Sequence, residues 1–201
     1  LRTASGRTNH AIPVCGALQL PEVELPVPPY TLGAWLGDGS SRNGQITSAD
    51  SAICSRIEAD GYKVRHYDWC DIAHNVLGLK TQLRVAGVLE NKHIPACYFR
   101  ASAGQRLELL QGLMDTDGYA AVDGGAEFDN AREELADGVL ALALSLGIKA
   151  TKLEGRAKLN GRDCGPKWRV RFTTGLPVFA LPRKADRIKT SLRRVSRFRY
   201  I

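Results

Sequence analysis

The spacing of apolar residues predicts helices and strands that alternate along most of the chain. Ile53 and Ile57 lie four residues apart, which is typical of one helix face. Polar and apolar residues alternate over Tyr62–Trp69 and again over Lys167–Thr174, which predicts two strands. The longest amphipathic stripe lies within a predicted helix at Arg132–Leu146 and contains Leu135, Val139, Leu142 and Leu146.

The remaining predicted elements follow the same order twice. In the first half they are a helix from Pro29-Tyr30 to Asp38, a strand at Gln45–Ala49, a helix at Ser51–Asp60, strands at Tyr62–Trp69 and His74–Leu79, and a helix at Thr81–Leu89. In the second half they are a helix at Ala103–Asp117, a hairpin of Tyr119–Val122 and Ala126–Asn130, the helix Arg132–Leu146, strands at Ile148–Lys158 and Lys167–Thr174 around a polar loop at Leu159–Pro166, and a last helix or turn beginning in Leu176–Leu181.

This ordered duplication predicts an α+β molecule with two halves related by a pseudo-two-fold axis. If the halves meet through their first helices, their antiparallel sheets form one concave saddle. The predicted segments are an N-terminal extension at 1–29, a first half at 30–102, a second half at 103–182 and a basic C-terminal segment at 183–201.

Two short helices end in the same acidic pattern. Leu110–Gly118 and Thr31–Gly39 each place a glycine six residues before an Asp-Gly stop. Small residues at mid-helix allow two helix backbones to approach closely, which would bring Asp38 and Asp117 together. An acid at a helix C-terminus is unfavourable, and two adjacent carboxylates repel, so the pair requires a cation or a shared proton.

Composition narrows the class of protein. No apolar run approaches the roughly 20 residues that span a bilayer, and the first ten residues lack the apolar core of a signal peptide. The five cysteines are scattered and never occur as C-x-x-C, which disfavours a disulfide framework or a zinc site and favours a reducing compartment. We therefore expect a cytoplasmic protein without a membrane partner. Because the first residue is not Met, we expect a fragment or a processed piece.

The net charge of +7 suits a polyanionic partner. On the strand that contains Trp168, alternation puts three cations and a threonine on one face, where they repel one another unless an anion covers them. A β-ribbon fits the DNA major groove, so we predict DNA contacts here. The full predicted set is Arg56, Lys63, Arg65, Lys152, Arg156, Lys158, Arg162, Lys167, Arg169, Arg171 and Thr173. The basic tail, Arg183–Arg199, either clamps phosphates or is a solvated end.

Leu110–Gly118 (LQGLMDTDG) closely resembles the LAGLIDADG motif, and Thr31–Gly39 (TLGAWLGDG) is a looser copy. Asn91–Pro95 resembles the lysine-containing block between the two motifs of this family. The whole pattern, from about Pro21 to Ile201, is similar to the homing endonuclease domain of an intein. Splicing blocks are absent, so this piece is not expected to splice by itself, and a parent splicing domain is expected to flank both ends.

The resemblance implies a monomeric, double-motif enzyme with two αββαββα halves that hydrolyses both strands of a long, asymmetric DNA site with two or three Mg²⁺ ions. It assigns Asp38 and Asp117 as metal-binding acids, the carbonyls of Gly37 and Thr116 as further ligand candidates, and Lys92 as a catalytic lysine. For the basic residue of the second half it leaves Thr173, Lys167 and Lys184 as alternatives. It also implies association with the nucleoid.

Two other hypotheses are compatible with these residues. A relative that has lost cleavage would only bind DNA, or would assist the folding of an intron RNA; both acids are present, which favours the nuclease. Alternatively, both Asp-Gly pairs are ordinary helix ends and the basic strand is a solvated surface. That hypothesis treats the duplication, the spaced acids and the row of cations as separate coincidences.

Overall fold

The computed structural model describes residues 15–67 and 70–188. The N-terminal extension predicted at 1–29 and the basic segment predicted at 183–201 therefore lie partly outside the described residues, as does Trp69. In chain order the elements are α1 (Pro29–Asp38), β1 (Gln45–Thr47), α2 (Ser51–Ala59), β2 (Val64–Tyr67), β3 (Cys70–Val76), α3 (Leu79–Val85), α4 (Ala96–Phe99), α5 (Ala103–Thr116), β4 (Gly118–Ala120), β5 (Ala126–Asn130), α6 (Glu133–Ser145), β6 (Ala150–Leu159), β7 (Arg162–Phe172) and α7 (Pro182–Ala185).

Helices α1 and α5 pack backbone to backbone at the centre of the molecule. A Cβ at Gly33 would collide with the carbonyl oxygen of Leu109, and one at Gly112 would collide with that of Tyr30. The predicted role of these two glycines is thus confirmed: only their lack of a side chain lets the helices approach so closely. Apolar side chains on both helices, including Trp35 and Leu113, are fully buried around the contact.

The sheet of the second half has the strand order β4-β5-β7-β6 and is antiparallel throughout. Phe128 and Val170 are paired across β5 and β7, and both are buried beneath α6. The predicted polar loop at Leu159–Pro166 is wrong, because β6 and β7 continue to a two-residue turn. Asn160 and Gly161 form that turn with φ values of 50° and 81°, which is the backbone of a tight hairpin.

The sheet of the first half is a shortened copy of the second. Its described strands have the order β1-β3-β2. An isolated bridge between Gly39 and Ile46 takes the place of the β4–β5 pairing, in which Gly118 lies opposite Phe128. Strand β3 begins earlier than the predicted His74, at Cys70. The α+β fold with antiparallel sheets is therefore as predicted, although the two sheets differ in extent.

Each sheet has one face against helices and one face turned away from them. On β7, Val170 and Phe172 are buried in the core, so Arg169 and Arg171 lie on the opposite face. The predicted stripe of α6 is confirmed, since Leu135, Val139, Leu142 and Leu146 are all buried. Helix α5 leads directly into the edge strand β4, and α1 leads into Gly39, whose bridge to Ile46 lies at the edge of the first-half sheet.

Both terminal segments of the described chain dock on the body. The segment 15–28 runs along α5 and α6, where the Arg106 side chain is fully buried and donates to Leu18 O and to Ser145 O (2.7 Å). At the other end no helix begins in Leu176–Leu181; α7 starts at Pro182. Among the described residues, no helix combines the length and the apolar character needed to cross a membrane.

Candidate functional site

Asp38 and Asp117 occupy the adjacent C-terminal tips of α1 and α5. Gly37 faces Thr116 across the helix pair so closely that a Cβ at Gly37 would collide with the threonine hydroxyl. Burial and, after it, the nearby negative charge of Asp38 raise the pKa of Asp117 to about 6. Burial also raises the pKa of Asp38, against the opposing effect of Lys92 and Lys184. The tips therefore form one acidic site in which nearby charges shift the pKa of each carboxyl group.

Lys92 caps the end of α1. Its ammonium donates to Leu36 O (3.0 Å) and Gly37 O (3.1 Å) and lies 5.0 Å from the centroid of the Trp35 ring. Burial lowers the pKa of Lys92 to about 8, although the charges of Asp117 and Asp38 oppose that change. The lysine predicted from the block between the motifs thus lies beside both acids.

Lys184 occupies the corresponding position at the end of α5. Its ammonium donates to the carbonyls of Met114 (2.9 Å), Asp115 (2.7 Å), Thr116 (3.2 Å) and Gly118 (2.7 Å). Of the three alternatives for the second half, it is the one that matches the geometry of Lys92. Lys167 instead pairs with Asp129 (2.7 Å), and Thr173 is exposed just beyond β7.

Asp115, the first acid of the motif, has a structural role that explains how Lys184 is positioned. Its carboxylate is buried and accepts hydrogen bonds from the Tyr30 hydroxyl (2.9 Å) and from the amides of Ala180 (3.0 Å) and Leu181 (3.1 Å). These bonds anchor the segment that leads into α7. An acid at the helix end is thus satisfied by backbone donors and needs no metal of its own.

Asn130 is a site residue that the sequence reasoning missed. Its amide nitrogen donates to Asp117 Oδ2 (2.9 Å), and its amide oxygen accepts from the Arg132 amide (2.9 Å). The strand registers make Ser48 its counterpart in the first half, and the Ser48 hydroxyl accepts from the Asp50 amide (3.0 Å) instead. Within the described residues, Asp117 is therefore held by a side chain while Asp38 is not.

A cavity lies on each side of the paired tips. One, of about 220 Å³, is lined by Gly37, Lys92, Asn130 and Arg132 among others. The other, of about 570 Å³, is lined by Asp38, Ser48, Asp50, Thr116 and Arg183 among others. In the second cavity Arg183 pairs with Asp50 (2.8 Å). The residue of the first cavity that corresponds to Asp50 is Arg132, so an acid in one cavity is replaced by a cation in the other. The two centres are related in layout and differ in charge.

The donor set fits a hard divalent cation that keeps part of its water shell. A cation would stabilise these two half-buried carboxylates, since the charge of Asp38 raises the pKa of Asp117. Mg²⁺ typically uses one or two carboxylates together with water and substrate phosphate oxygens. The carbonyls of Gly37 and Thr116 already accept from Lys92 and Lys184, which leaves each one further lone pair. No cluster of three or more His, Cys, Asp or Glu able to hold a metal occurs in the described ranges.

The row of cations on β7 lies opposite a row of acids on β5. Arg169 pairs with Asp129 (2.7 Å) and Glu127 (3.1 Å), and Arg171 pairs with Glu127 (3.3 Å) and, closer still, with Asp123. The expectation that these cations repel one another until an external anion covers them is wrong, since carboxylates of the same sheet already neutralise them.

Three predicted DNA contacts lie away from that face. Lys152 is paired in register with Val170, so it points toward α6, where it bonds to Glu133 (2.9 Å) and Asp137. Arg156 lies opposite Pro166, on the same side as Lys152, and pairs with Asp163 (2.9 Å). Arg56 belongs to α2 and lies over the Tyr30 ring at 4.6 Å. Lys152 and Arg156 therefore do not lie on the polar sheet face, whereas Arg56 lies on the helix before β2, where the sequence placed it.

The other predicted contacts are exposed. Lys158 and Arg162 lie at the tip of the β6–β7 hairpin. Lys63 precedes β2, and Arg65 is on β2 opposite Asn75. No carboxylate lies within 4.0 Å of Lys63 or Arg65 in the part of the chain that the structure describes.

Comparisons with known proteins agree with this architecture. Residues 104–178 match the family model of the LAGLIDADG-like domain. The crystal structure of I-DmoI in complex with DNA and Ca aligns with a TM-score of 0.51 and 14% identity, over 80% of this chain and 95% of that one. An I-DmoI point variant with its target DNA in the presence of Mn aligns with a TM-score of 0.50 and 16% identity, over 74% of this chain and 87% of that one. The fold is that of the homing endonuclease I-DmoI.

One curated relative matches in sequence. The chain is 42% identical over 183 residues to the replicative DNA helicase DnaB of Mycobacterium intracellulare. The match covers 91% of this chain and 30% of the helicase, so the chain spans less than a third of that relative's length.

Proposed function

We propose that this chain is a site-specific DNA endonuclease of the LAGLIDADG type that cuts both strands of a long, asymmetric target with the help of divalent metal ions, with Mg²⁺ as the physiological ion. The observation that carries the proposal is the meeting of Asp38, Asp117, Lys92 and Lys184 at two paired helix tips. Four interacting charged groups, of which Lys92 and Lys184 are buried, are costly to a fold, and such clusters are typical of functional sites.

Each residue has a role that follows from its position. Asp38 and Asp117 would hold the metal ions, with the Gly37 and Thr116 carbonyls as additional oxygen donors. When bound, the ions would supply a hydroxide nucleophile and neutralise the leaving oxygen. Lys92 and Lys184 stand beside the acids, where their ammonium groups stabilise negative charge that grows on a phosphate during hydrolysis. Asn130 fixes the orientation of the Asp117 carboxylate.

The comparisons support this proposal from outside the chain. The similar solved structures of I-DmoI contain DNA, with Ca in one case and Mn in the other. A match that covers nearly all of this chain but 30% of a replicative helicase is expected when the chain is an insertion within a host protein. We therefore propose an intein context, with splicing segments on both sides and the uninterrupted helicase-type gene as the DNA target. Such a protein acts on the nucleoid in the cytoplasm.

A plasmid that carries the uninterrupted host-gene sequence tests the function. We expect the parent protein to linearise it when Mg²⁺ is present and to leave it intact when EDTA is added. Asp38→Asn and Asp117→Asn should each lose at least about 100-fold in rate, because a metal ligand is removed. If both variants cut as fast as the parent, the assignment of the site is wrong. Tight binding of the target without cutting would instead support a DNA-binding relative that has lost cleavage.

A further inference from the structure

Arg183 connects the segment that carries Lys184 to the first half of the molecule. Its Nε atom donates to Asp50 Oδ2 (2.8 Å). The other carboxylate oxygen of Asp50 accepts from the amide of Ala52 (3.1 Å), so Asp50 is also the N-cap of α2. A carboxylate at a helix N-terminus is stabilised by the backbone donor and by the helix dipole. The ion pair therefore joins α7 to a fixed point of the first half.

The same segment is held on its other side by α5. Asp115 accepts from the amides of Ala180 and Leu181, and the Lys184 ammonium donates to carbonyls at the end of α5. Helix α7 itself has four residues, and a helix of one turn is not stable without tertiary contacts. The attachments to both halves together thus set where Lys184 lies relative to the paired tips.

The cleavage centre of Lys92 has a different arrangement. The N-cap of α6, which corresponds to Asp50, is Arg132, and the residue before Lys92 is Asn91. An arginine and an asparagine cannot form an ion pair of this kind, so the link is specific to the centre of Lys184. An exposed pair contributes little to stability, and the Arg183 side chain is 61% exposed. A role in positioning explains the pair better than stability does.

We propose that Asp50 and Arg183 form a positioning pair that fixes Lys184 at its cleavage centre, so that the pair governs the cutting of one DNA strand and not of the other. This inference rests on the proposed function, since it takes Lys184 to serve catalysis. The pair lines the cavity of about 570 Å³ that Asp38 also lines. Misplacing a catalytic group by about 1 Å costs roughly 100-fold in rate, so slight freedom of α7 would slow that strand.

Single-turnover cleavage by the full chain, on a duplex with a different fluorophore on each strand, tests the proposal. Lys184→Gln identifies the strand that depends on Lys184. We expect Asp50→Asn to slow that strand about tenfold and to leave the other strand and the affinity for DNA within about twofold of the parent. Asparagine is as good an N-cap as aspartate, so the change removes the charge and keeps the cap. Arg183→Gln should have the same effect.

The reciprocal variant, with Asp50→Arg and Arg183→Asp together, shows whether the pair itself matters. It should restore cutting to within about threefold of the parent, because the two changes are coupled. An arginine that only bound phosphate would not be replaced in this way, so failure of the reciprocal variant contradicts the proposal. Asp137→Asn is the matched control, because it removes an acid that pairs with Lys152 on the outer side of α6. It should change neither strand.

Acetylation of lysine amines, followed by mass spectrometry, gives a readout that needs no cleavage. Lys184 is buried in the parent, and Asp50→Asn should raise its labelling rate about threefold or more, since the segment opens more often. The reciprocal variant should reverse this, and Lys92 should be labelled as in the parent. The inference is overturned if Asp50→Asn leaves labelling and both strand rates unchanged, or slows both strands equally. A parent that never cuts, with labelling as expected, would overturn the nuclease and leave the positioning of Lys184 standing.

Discussion

Burial and the neighbouring acid Asp38 both raise the pKa of the Asp117 carboxyl group. Its pKa of about 6 in the folded protein exceeds the ordinary value near 3.9 of an unfolded chain. Between these two values the folded state binds more protons than the unfolded state, so stability falls as pH rises from about 4 to 6 and stays low above that range. The charged carboxylate thus costs on the order of 2 to 3 kcal/mol at neutral pH when no metal is bound.

Asp117→Asn should remove this cost. Thermal melts in EDTA are expected to show a higher midpoint for the variant at pH 7.5, and the difference should vanish near pH 4. Asp50→Asn is the opposite control, because the hydrogen bond from Arg183 lowers the pKa of Asp50 and so stabilises the fold at neutral pH. Its destabilisation should be present at pH 7.5 and should disappear as the pH falls. If the melting temperatures of Asp117→Asn and the parent differed by the same amount at every pH, burial would not raise the pKa of Asp117.

Lys184 combines a structural role with a proposed chemical one. Replacing it by Gln leaves the carbonyls at the end of α5 without the ammonium group that now donates to them. We therefore expect a loss of about 2 to 4 kcal/mol in unfolding free energy. If each lysine serves one cleavage centre, Lys184→Gln and Lys92→Gln should each convert supercoiled plasmid mainly to the nicked form. Lys80→Gln, on the exposed surface of α3, should cut like the parent. Linear product at the parental rate from either site variant would show that the lysine is not needed at its centre.

The sequence predicted the residues of the site whose positions are set by a local motif, and these are Asp38, Asp117 and Lys92. Lys184 could not be selected, because its place at the end of α5 depends on how the chain returns after β7. Asn130 could be found only by counting strand register, since its side chain lies two residues beyond the buried Phe128. The error at Lys152 has the same origin: register across β6 and β7 is fixed by the Asn160-Gly161 turn, which the polar composition of that stretch concealed.

At the scale of whole elements, the central helices α1 and α5 depend on Gly33 and Gly112 for their close contact. Gly33→Val and Gly112→Val would force side chains into the backbone of the facing helix, and we expect each to cost more than about 3 kcal/mol of stability. Urea unfolding monitored by circular dichroism measures this loss.

Gly104 provides the matched control on the same helix, because a Cβ there would have no neighbour closer than 3.8 Å. Gly104→Ala should stabilise the protein by about 0.5 to 1 kcal/mol, since alanine restricts the unfolded chain and favours helix. Equal effects of the substitutions at Gly112 and Gly104 would mean that the helices do not touch.

Helices α2, α5 and α6 were predicted more accurately than strands β3 and β7, whereas α3 lies at Leu79–Val85 instead of the predicted Thr81–Leu89. The predicted bounds of α2, α5 and α6 differ from the observed ones by at most one residue at each end, because their apolar stripes and end signals are local. The start of β2 and the two ends of β6 differ by one or two residues. The ends of β3 and β7 lie two to five residues from the predicted ones, since pairing partners distant in sequence decide where a strand stops. The short Cys70–Val76 strand shows this most clearly, as its polar start gives no signal by itself.

For the molecule as a whole, the helix contact also predicts the state of association. The faces of α1 and α5 that carry Gly33 and Gly112 are buried against each other within one chain, so neither is available to a second copy. We expect the protein to behave as a monomer of 21.9 kDa, with one copy on each duplex. Light scattering after size exclusion, with and without DNA, measures this. A mass twice as large without DNA would contradict it.

Each terminal segment contacts the half of the molecule that lies farther from it in sequence. The segment before α1 is held by Tyr98, which bonds the amide and carbonyl of Val27, and by Arg106 of the second half, which bonds Leu18. Arg183, near the other end, reaches across to Asp50 of the first half. A gene split at the codon of the exposed Gly87, which follows α3 and leaves Lys92 within the second product, should therefore still give working enzyme when its two products are made in one cell. Each polypeptide would carry an arm that recognises its mate, and so cleavage could be placed under the control of two separate promoters.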